Sequence, residues 1–244
     1  MEGVQLTQES AGCALALAVQ AAYHSLPDAP MAVYSMLGHY LGPTATDRHI
    51  KITVEDVRTT RTFATRRVVL TQVQDNGTER SSLAVTLDFM ATSPTSVLKY
   101  HIPAPFITHH SKLAPFQEAI EARVATKALH PKAASTFKTV FGLMFKMLEM
   151  RIPEDAPLGQ NLWGVDKQIA TSQDGVPLTD KRSVSWMRSK IDLSSPSSPD
   201  GEALPISAQS ASASLLAFAL DGALVSPFST FDSEDRKAGA TRTG

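Results

Sequence analysis

Cysteine is nearly absent from this sequence, and the consequences concern where the protein works. Among 244 residues there is one cysteine, Cys13, so no disulfide can form within the chain. The N-terminus MEGVQLTQES lacks the basic and then apolar order of a secretory signal, and the C-terminus TRTG is not the peroxisomal tripeptide. Together these absences predict an intracellular protein in the cytoplasm.

An excess of either charge is also lacking. The formal net charge is −1, so the chain as a whole has no surplus of positive charge to hold a phosphate backbone. No stretch approaches the ~20 consecutive apolar residues needed to span a bilayer. Hydrophobic residues nevertheless make up 43% of the chain, enough for a buried core. We therefore expect a folded protein with no nucleic-acid partner and no membrane partner.

The common local signatures of catalysis are missing as well. We find no G-x-S-x-G, G-x-G-x-x-G, phosphate-binding P-loop, C-x-x-C or H-E-x-x-H motif. All seven histidines lie at or before His130, so a Ser-His-Asp site built after that residue would lack its general base. His101, His109 and His110 have no acidic or cysteine partner at ligand spacing, which favours a solvated loop over a metal site. Neither a metal nor a cofactor is expected.

What the sequence does contain is a long apolar helix followed by strands. The segment AGCALALAVQAAY, residues 11–23, is uncharged and apolar or small on nearly every face, so the helix it predicts must be enclosed. Apolar and polar residues alternate over 50–55 and again over 83–89, which predicts half-buried strands. Between them, Asp75-Asn76-Gly77 predicts a hairpin turn, because Asn and Gly tolerate positive φ. A sheet that wraps the helix is the simplest arrangement.

Composition divides the chain into four regions. Residues 1–92 form the first block, and prolines interrupt residues 93–135, which we interpret as a linker with one helical piece, FQEAIEARVATKAL. Residues 136–228 form a second block with three predicted elements, the strands FGLMFKMLEMRI and KRSVSWMRSKIDL and the helix PISAQSASASLLAFALDGALV. The polar tail, residues 229–244, is predicted to be disordered.

Two segments of the first block, VYSMLGHYLGP and VEDVRTTRTFATRRVVLTQ, carry a resemblance to a known family. In order and spacing they resemble the acyl-CoA thioesterase II family, whose members have the double-hotdog fold. The matching positions are Val33, Ser35, Tyr40, Leu41, Pro43, Val54, Glu55, Arg58, Phe63, Arg66, Arg67, Val68 and Gln72. The resemblance implies an α+β hotdog fold, in which an antiparallel sheet wraps a long helix, and a tandem arrangement. It also implies that Arg58 and Arg67 are structural residues on strands.

The second block resembles the family less completely. SVSWMRSK is similar to the family's penultimate strand before its second helix, and FALDGALVSP is similar to the end of that helix. The family's strand before the first helix would need residues ahead of Met1, and its later strands, which supply a threonine and a glutamine around the attacking water, have no counterpart after Asp221. We therefore expect a truncated second hotdog, completed by self-association or by a partner subunit.

Asp221 falls on the position of the family's catalytic aspartate, which makes it the candidate catalytic residue. A carboxylate within LLAFALDGALV, near the negative end of a helix dipole, is costly in its charged form, and this favours a proton acceptor. The resemblance implies that Asp221 activates a water molecule that attacks a thioester carbonyl of an acyl-CoA or carrier-bound acyl group, in some biosynthetic pathway. The alternative is an exposed residue at the end of a helix.

Two other functions stay open at this point. The first is a catalytically degenerate, acyl-binding or subunit-like hotdog protein, since the second sheet is expected to be incomplete. The second is a hotdog hydratase or dehydratase, which would need a histidine with an acidic partner. The first helix offers His24 but no acid within it.

Overall fold

The computed structural model divides the chain into two compact units. It describes residues 9–27, 30–92, 100, 107–162, 169–180, 182–197 and 200–221. The first unit comprises residues 1–102 together with 192–221, and the second comprises residues 103–191 together with 222–244. The predicted disordered tail, residues 229–244, lies outside the described residues, as does His101.

The first unit consists of two helices and an antiparallel sheet. Its elements are α1 (Glu9–His24), β1 (Met31–Tyr40), β2 (Lys51–Thr59), β3 (Phe63–Val73), β4 (Glu79–Ala91) and a last helix, α6, over residues 208–221. The four strands stand in the order β1-β4-β3-β2, and all neighbours are antiparallel. Gly77 connects β3 to β4 at φ 79°, so the predicted Asn-Gly hairpin turn is confirmed.

The core of the first unit lies between α1 and one face of the sheet. Ala14, Ala18, Val19 and Ala22 of α1 are buried against alternate residues of β3 and β4, which include Val68, Leu70, Val85, Leu87 and Phe89. Ala217 of α6 belongs to the same cluster. Small side chains on α1 let the helix lie close to the sheet, and the strand alternation supplies the larger side chains. The predicted helix and strands are confirmed.

The second unit contains short helices and a small sheet. Its elements are α2 (Phe116–Ala125), α3 (Pro131–Val140), α4 (Gly142–Met147), β5 (Leu148–Arg151), α5 (Pro157–Gln160) and β6 (Trp186–Ser189), with two short 3₁₀ turns at His110–Lys112 and Leu178–Asp180. β5 and β6 pair antiparallel. Within the described part of the chain, no helix is both long and apolar enough to cross a bilayer.

The structure differs from the sequence interpretation of residues 103–228 in three respects. Residues 141–147, predicted as part of a strand, are largely helical, because Phe137, Phe141 and Phe145 recur every fourth residue and their rings meet on one side of α3 and α4. Residues 103–135 are grouped with the second unit, where Phe116 and Ile120 of α2 are buried, and do not form a separate linker. Residues 192–221, which include most of the predicted second helix, are grouped with the first unit.

The arginines of the first sheet differ sharply in their surroundings. Arg58 lies over the ring of Phe63, 5.3 Å from its centroid, and Arg67 is 3.7 Å from Glu55 across the strand pair. Both contacts lie within the sheet, as expected of structural residues. Arg66 differs from them, because its side chain is 1% exposed and its guanidinium pairs with Asp56 at 2.8 Å. All three arginines therefore stabilise the sheet, and Arg66 does so from a buried position.

Candidate functional site

The candidate site begins where α1 and α6 cross. The carbonyl oxygen of Phe218 lies opposite Gly12, near the start of α1, and the hydroxyl of Ser214 donates to Oε1 of Gln20 at 3.3 Å. The partner residue on α6 therefore changes from Phe218 to Ser214 as the position on α1 advances from Gly12 to Gln20. The two helices are antiparallel, and the described C-terminal end of α6 lies beside the first turn of α1.

Gly12 allows α1 and α6 to approach each other closely. A Cβ atom at position 12 would lie 2.9 Å from the Phe218 carbonyl oxygen and 3.0 Å from Cδ2 of the Phe218 ring. The backbone oxygen cannot move aside without shifting α6, so glycine is the residue that this approach requires. The same hypothetical Cβ would lie 3.5 Å from Oδ2 of Asp221. Gly12 therefore brings the Asp221 carboxylate next to the start of α1.

β1 contributes the third residue of the site. Tyr40 is the last residue of β1, and its hydroxyl donates a hydrogen bond to Oδ1 of Asp221 at 2.9 Å. The two carboxylate oxygens thus face different neighbours, since Oδ1 accepts from the phenol while Oδ2 lies on the Gly12 side. Hydrogen bonds to an ionised acceptor are stronger than neutral ones, so this contact fixes the orientation of the carboxylate.

The state of the Tyr40 phenol follows from its surroundings. Partial burial raises the pKa of Tyr40 far above its ordinary value, and both the charge of Asp221 and the hydrogen bond to it raise the pKa further. The phenol therefore keeps its proton at any pH at which the protein works. Tyr40 is a hydrogen-bond donor to Asp221 and is unable to serve as a base.

The first turn of α1 supplies the third chemical property of the site. The first N–H groups of an α-helix have no partner within the helix, and the helix dipole places partial positive charge at that end. An oxyanion is stabilised by such groups. The site therefore combines a carboxylate, a phenol that orients it, and a helix start that favours negative charge.

Sequence analysis proposed one of these three residues for the site. Asp221 was the candidate catalytic residue, and the structure places it beside α1. Tyr40 was noted only as a similarity to the family, without any link to Asp221. Tyr40 and Asp221 are 181 residues apart, and no local pattern joins residues at that distance. Nothing in β1 singles out Tyr40, because the strand also holds the polar residues Ser35 and His39.

The candidate for hydratase chemistry lies elsewhere. His24 is the last residue of α1, twelve residues from Gly12, which corresponds to ~18 Å along a helix. Its Nε2 atom lies 3.3 Å from the side-chain nitrogen of Gln20, an amide and not an acid. His24 also lines a cavity of about 440 Å³, and the described residues that line it include no acidic side chain. The pair that a hydratase would need is not found among the described residues.

The clustered histidines of the second unit form no metal site in the described residues. His109 and His110 are exposed, with ring centroids 4.1 Å apart, and both rings lie within 6 Å of the Trp186 ring. Across the ranges that the structure describes, no group of three or more potential ligands could hold a metal ion. Their ring contacts with Trp186 show that these histidines pack on the surface of the second unit.

Comparison with known proteins identifies the first unit. Residues 10–92 match the model of the acyl-CoA thioesterase N-terminal domain. Those residues are similar to the N-terminal domain of acyl-CoA thioesterases. The match covers α1 and the complete four-stranded sheet, and therefore includes Gly12 and Tyr40 but not Asp221. No curated protein sequence matches this chain.

Solved structures extend the similarity beyond the thioesterase domain. An acyl-CoA thioesterase II, TesB2, from Mycobacterium marinum superimposes with a TM-score of 0.52 at 17% identity, covering 88% of this chain and 60% of its own. A proposed thioesterase of Novosphingobium aromaticivorans gives a TM-score of 0.52 at 16% identity, covering 91% of this chain and 64% of its own. This likeness confirms the predicted α+β hotdog fold. The chain spans less than two thirds of the length of both structures.

Proposed function

We propose that this protein is a thioesterase that hydrolyses an acyl thioester, either an acyl-CoA or an acyl group on a carrier. The observation that carries the proposal is the position of the Asp221 carboxylate beside the first turn of α1, within 3.5 Å of the place a Cβ on Gly12 would occupy. A base and an oxyanion-stabilising helix start within a few ångströms of each other are what acyl transfer to water requires. The family of residues 10–92 supports the same reaction class.

The proposed reaction uses these groups in a fixed order. The carboxylate of Asp221 accepts a proton from a water molecule while the water oxygen bonds to the thioester carbonyl carbon. The negative charge that develops on the carbonyl oxygen is stabilised by the N–H groups at the start of α1. The carbon–sulfur bond then breaks, and the thiolate leaves and takes up a proton. A carboxylic acid and a free thiol are the products.

Asp221→Asn tests this proposal directly. The substitution keeps the size of the side chain but removes the base, so hydrolysis should fall at least ~100-fold, the lower end of general-base contributions. The measurement is thiol release from a panel of acyl-CoAs of different chain lengths, after subtraction of the signal from the protein's own thiol, Cys13. Asp47→Asn is a matched control, because Asp47 is an exposed carboxylate paired with Arg48.

Each outcome of the assay decides between the proposed functions. Equal rates for wild type and Asp221→Asn would show that Asp221 is a structural residue and that the catalytic base is another residue. Binding of an acyl-CoA without thiol release, in the wild type, would favour the degenerate acyl-binding protein. The absence of an acidic partner for His24 among the described residues speaks against the hydratase.

We also propose that the protein associates, with a second copy or with a partner subunit. Leu216 and Leu220 lie one turn apart on α6 and are 58% and 45% exposed, an apolar strip that another surface would cover. An intracellular setting is part of the same proposal, drawn from the sequence. Sedimentation of the purified protein as a monomer at all concentrations would contradict self-association.

A further inference from the structure

We propose that Tyr40 is the positioning residue of this site, and that its hydrogen bond to Oδ1 assigns the proton-accepting role to Oδ2 of Asp221. This inference depends on the proposed function, because it explains how the same carboxylate would be oriented for hydrolysis. Tyr40 does not touch the reacting atoms in this proposal. It acts through Asp221 alone.

The geometry divides the two oxygens of the carboxylate. Oδ1 accepts the phenol proton at 2.9 Å, while Oδ2 is the oxygen that approaches Gly12 and the start of α1. A carboxylate on a free side chain can rotate and exchange its two oxygens, so a water molecule would meet either one. With Oδ1 held by Tyr40, the oxygen nearest the helix start is always Oδ2. The base and the oxyanion-stabilising groups are then on the same side.

The position of Tyr40 on β1 makes the orientation rigid. β1 pairs with β4 along its length, and Tyr40 itself lies opposite Leu83 in the register. The backbone after Tyr40 is held as well, because the N–H of Leu41 donates to the carbonyl of Ser82 at 2.8 Å. A side chain on a paired strand is positioned more accurately than one on a free loop. The sheet therefore sets the angle of a carboxylate that belongs to α6.

The charge state of the phenol agrees with this role. Because burial and the neighbouring Asp221 raise its pKa, Tyr40 remains a donor and does not compete with Asp221 as a base. A donor that keeps its proton holds Oδ1 in one place. Removing it should leave the carboxylate free to rotate, so that either oxygen can face the start of α1.

The first test is the effect of Tyr40→Phe on kcat and KM separately. This variant keeps the ring and removes the donor, so kcat should fall about 10-fold at neutral pH with little change in KM. A loss of kcat without a change in KM is a split that a loss of packing alone would not produce. Tyr34→Phe is the matched control, because Tyr34 lies on the same strand with its ring edge-on to Phe63.

The second test needs no substrate. Protein labelled with ¹³C at the ζ carbon of tyrosine has four tyrosine signals, and the signal missing in Tyr40→Phe identifies Tyr40. The Tyr40 signal should shift in Asp221→Asn, because the acceptor of the phenol's hydrogen bond loses its charge. The other three signals should be unchanged in that variant.

The outcomes separate this inference from the proposed function. A Tyr40 signal that does not respond to Asp221→Asn, or a kcat that is unchanged in Tyr40→Phe, overturns the positioning role even if Asp221→Asn is inactive. A Tyr40 signal that responds to Asp221→Asn, in a protein whose wild type has no hydrolytic activity, upholds the contact and overturns the thioesterase. Equal losses of kcat in Tyr34→Phe and Tyr40→Phe would also contradict the specific role of Tyr40.

Discussion

The two units of this protein bury their apolar side chains by different means. In the first unit, small residues of α1 pack against alternate Val, Leu and Phe residues of β3 and β4. In the second unit, Phe116, Phe137 and Phe145 come from three short helices and pack ring against ring. In long paired strands the register determines which side chains face the core and which face solvent. A cluster of aromatic rings on short helices can pack in more than one way. The family match lies within the first unit.

We expect the largest loss of stability from a charge placed between α1 and the sheet of the first unit. Ala18 is fully buried, so Ala18→Asp should destabilise the first unit by on the order of 5 kcal/mol, comparable to the total stability of many domains. Hydrogen exchange read by mass spectrometry should show loss of protection over residues 31–92. Protection that survives over residues 116–151 would show that the second unit folds by itself.

Ala128→Asp is the control for this charge. Ala128 is exposed, so the same substitution should change the melting temperature by little. If Ala18→Asp melts like the wild type, α1 is not enclosed by the sheet and the hotdog arrangement of the first unit is wrong.

A cavity in the aromatic cluster should have the next largest effect. Phe137→Ala removes the ring that contacts Phe116, Phe141 and Phe145, and should cost about 3–5 kcal/mol of the second unit's stability. Because Gly12, Tyr40 and Asp221 all belong to the first unit, hydrolysis should persist at temperatures at which the second unit has lost its protection.

Val140→Ala is the matched change on the same helix. Val140 is partly exposed, so its truncation should cost less than about 1 kcal/mol. Loss of hydrolysis in Phe137→Ala at a temperature where residues 31–92 stay protected would show that the site depends on the second unit.

The smallest effects contrast two neighbouring arginines of the first sheet. Arg66→Gln removes a buried guanidinium that donates to Asp56 and to both oxygens of Ser25, and should cost about 3 kcal/mol. Arg67→Gln removes an exposed partner of Glu55 at 3.7 Å and should change the stability by less than about 1 kcal/mol. Urea unfolding of both variants measures the difference. Equal losses would mean that burial does not distinguish these side chains.

The sequence predicted the first unit well because its signals are local. Alternation over residues 83–89 corresponds to buried residues of β4, and Asn76-Gly77 corresponds to the hairpin turn. β1 was not predicted from alternation, since its pattern is broken by the register shift between Val33 and Ser35. Tyr34 has no partner in this register and is 58% exposed, so an apolar side chain of β1 stands outside the alternation of buried and exposed residues.

The second unit and the site were harder to predict for different reasons. In residues 141–152 a run of apolar residues suits a strand as well as a helix. The aromatic spacing favours the helix over Gly142–Met147, and Leu148–Arg151 form a strand. For the site, the resemblance identified Asp221, but its contact with Tyr40 depends on how α6 packs against α1 through Gly12. That packing is set by tertiary structure, so no window of sequence contains it.

The separation of Tyr40 and Asp221 along the chain has a consequence for biosynthesis. A ribosome adds about 5–20 residues per second, so the sheet of the first unit emerges roughly 10 s before the carboxylate that Tyr40 holds. During that interval the nascent chain can form α1 and all four strands, yet the Gly12 side of α1 still lacks α6. The proposed hydrolytic site is then the last part of the first unit to be assembled. A ribosome-bound chain that has not yet released residues 208–221 would have its sheet folded but the proposed site incomplete.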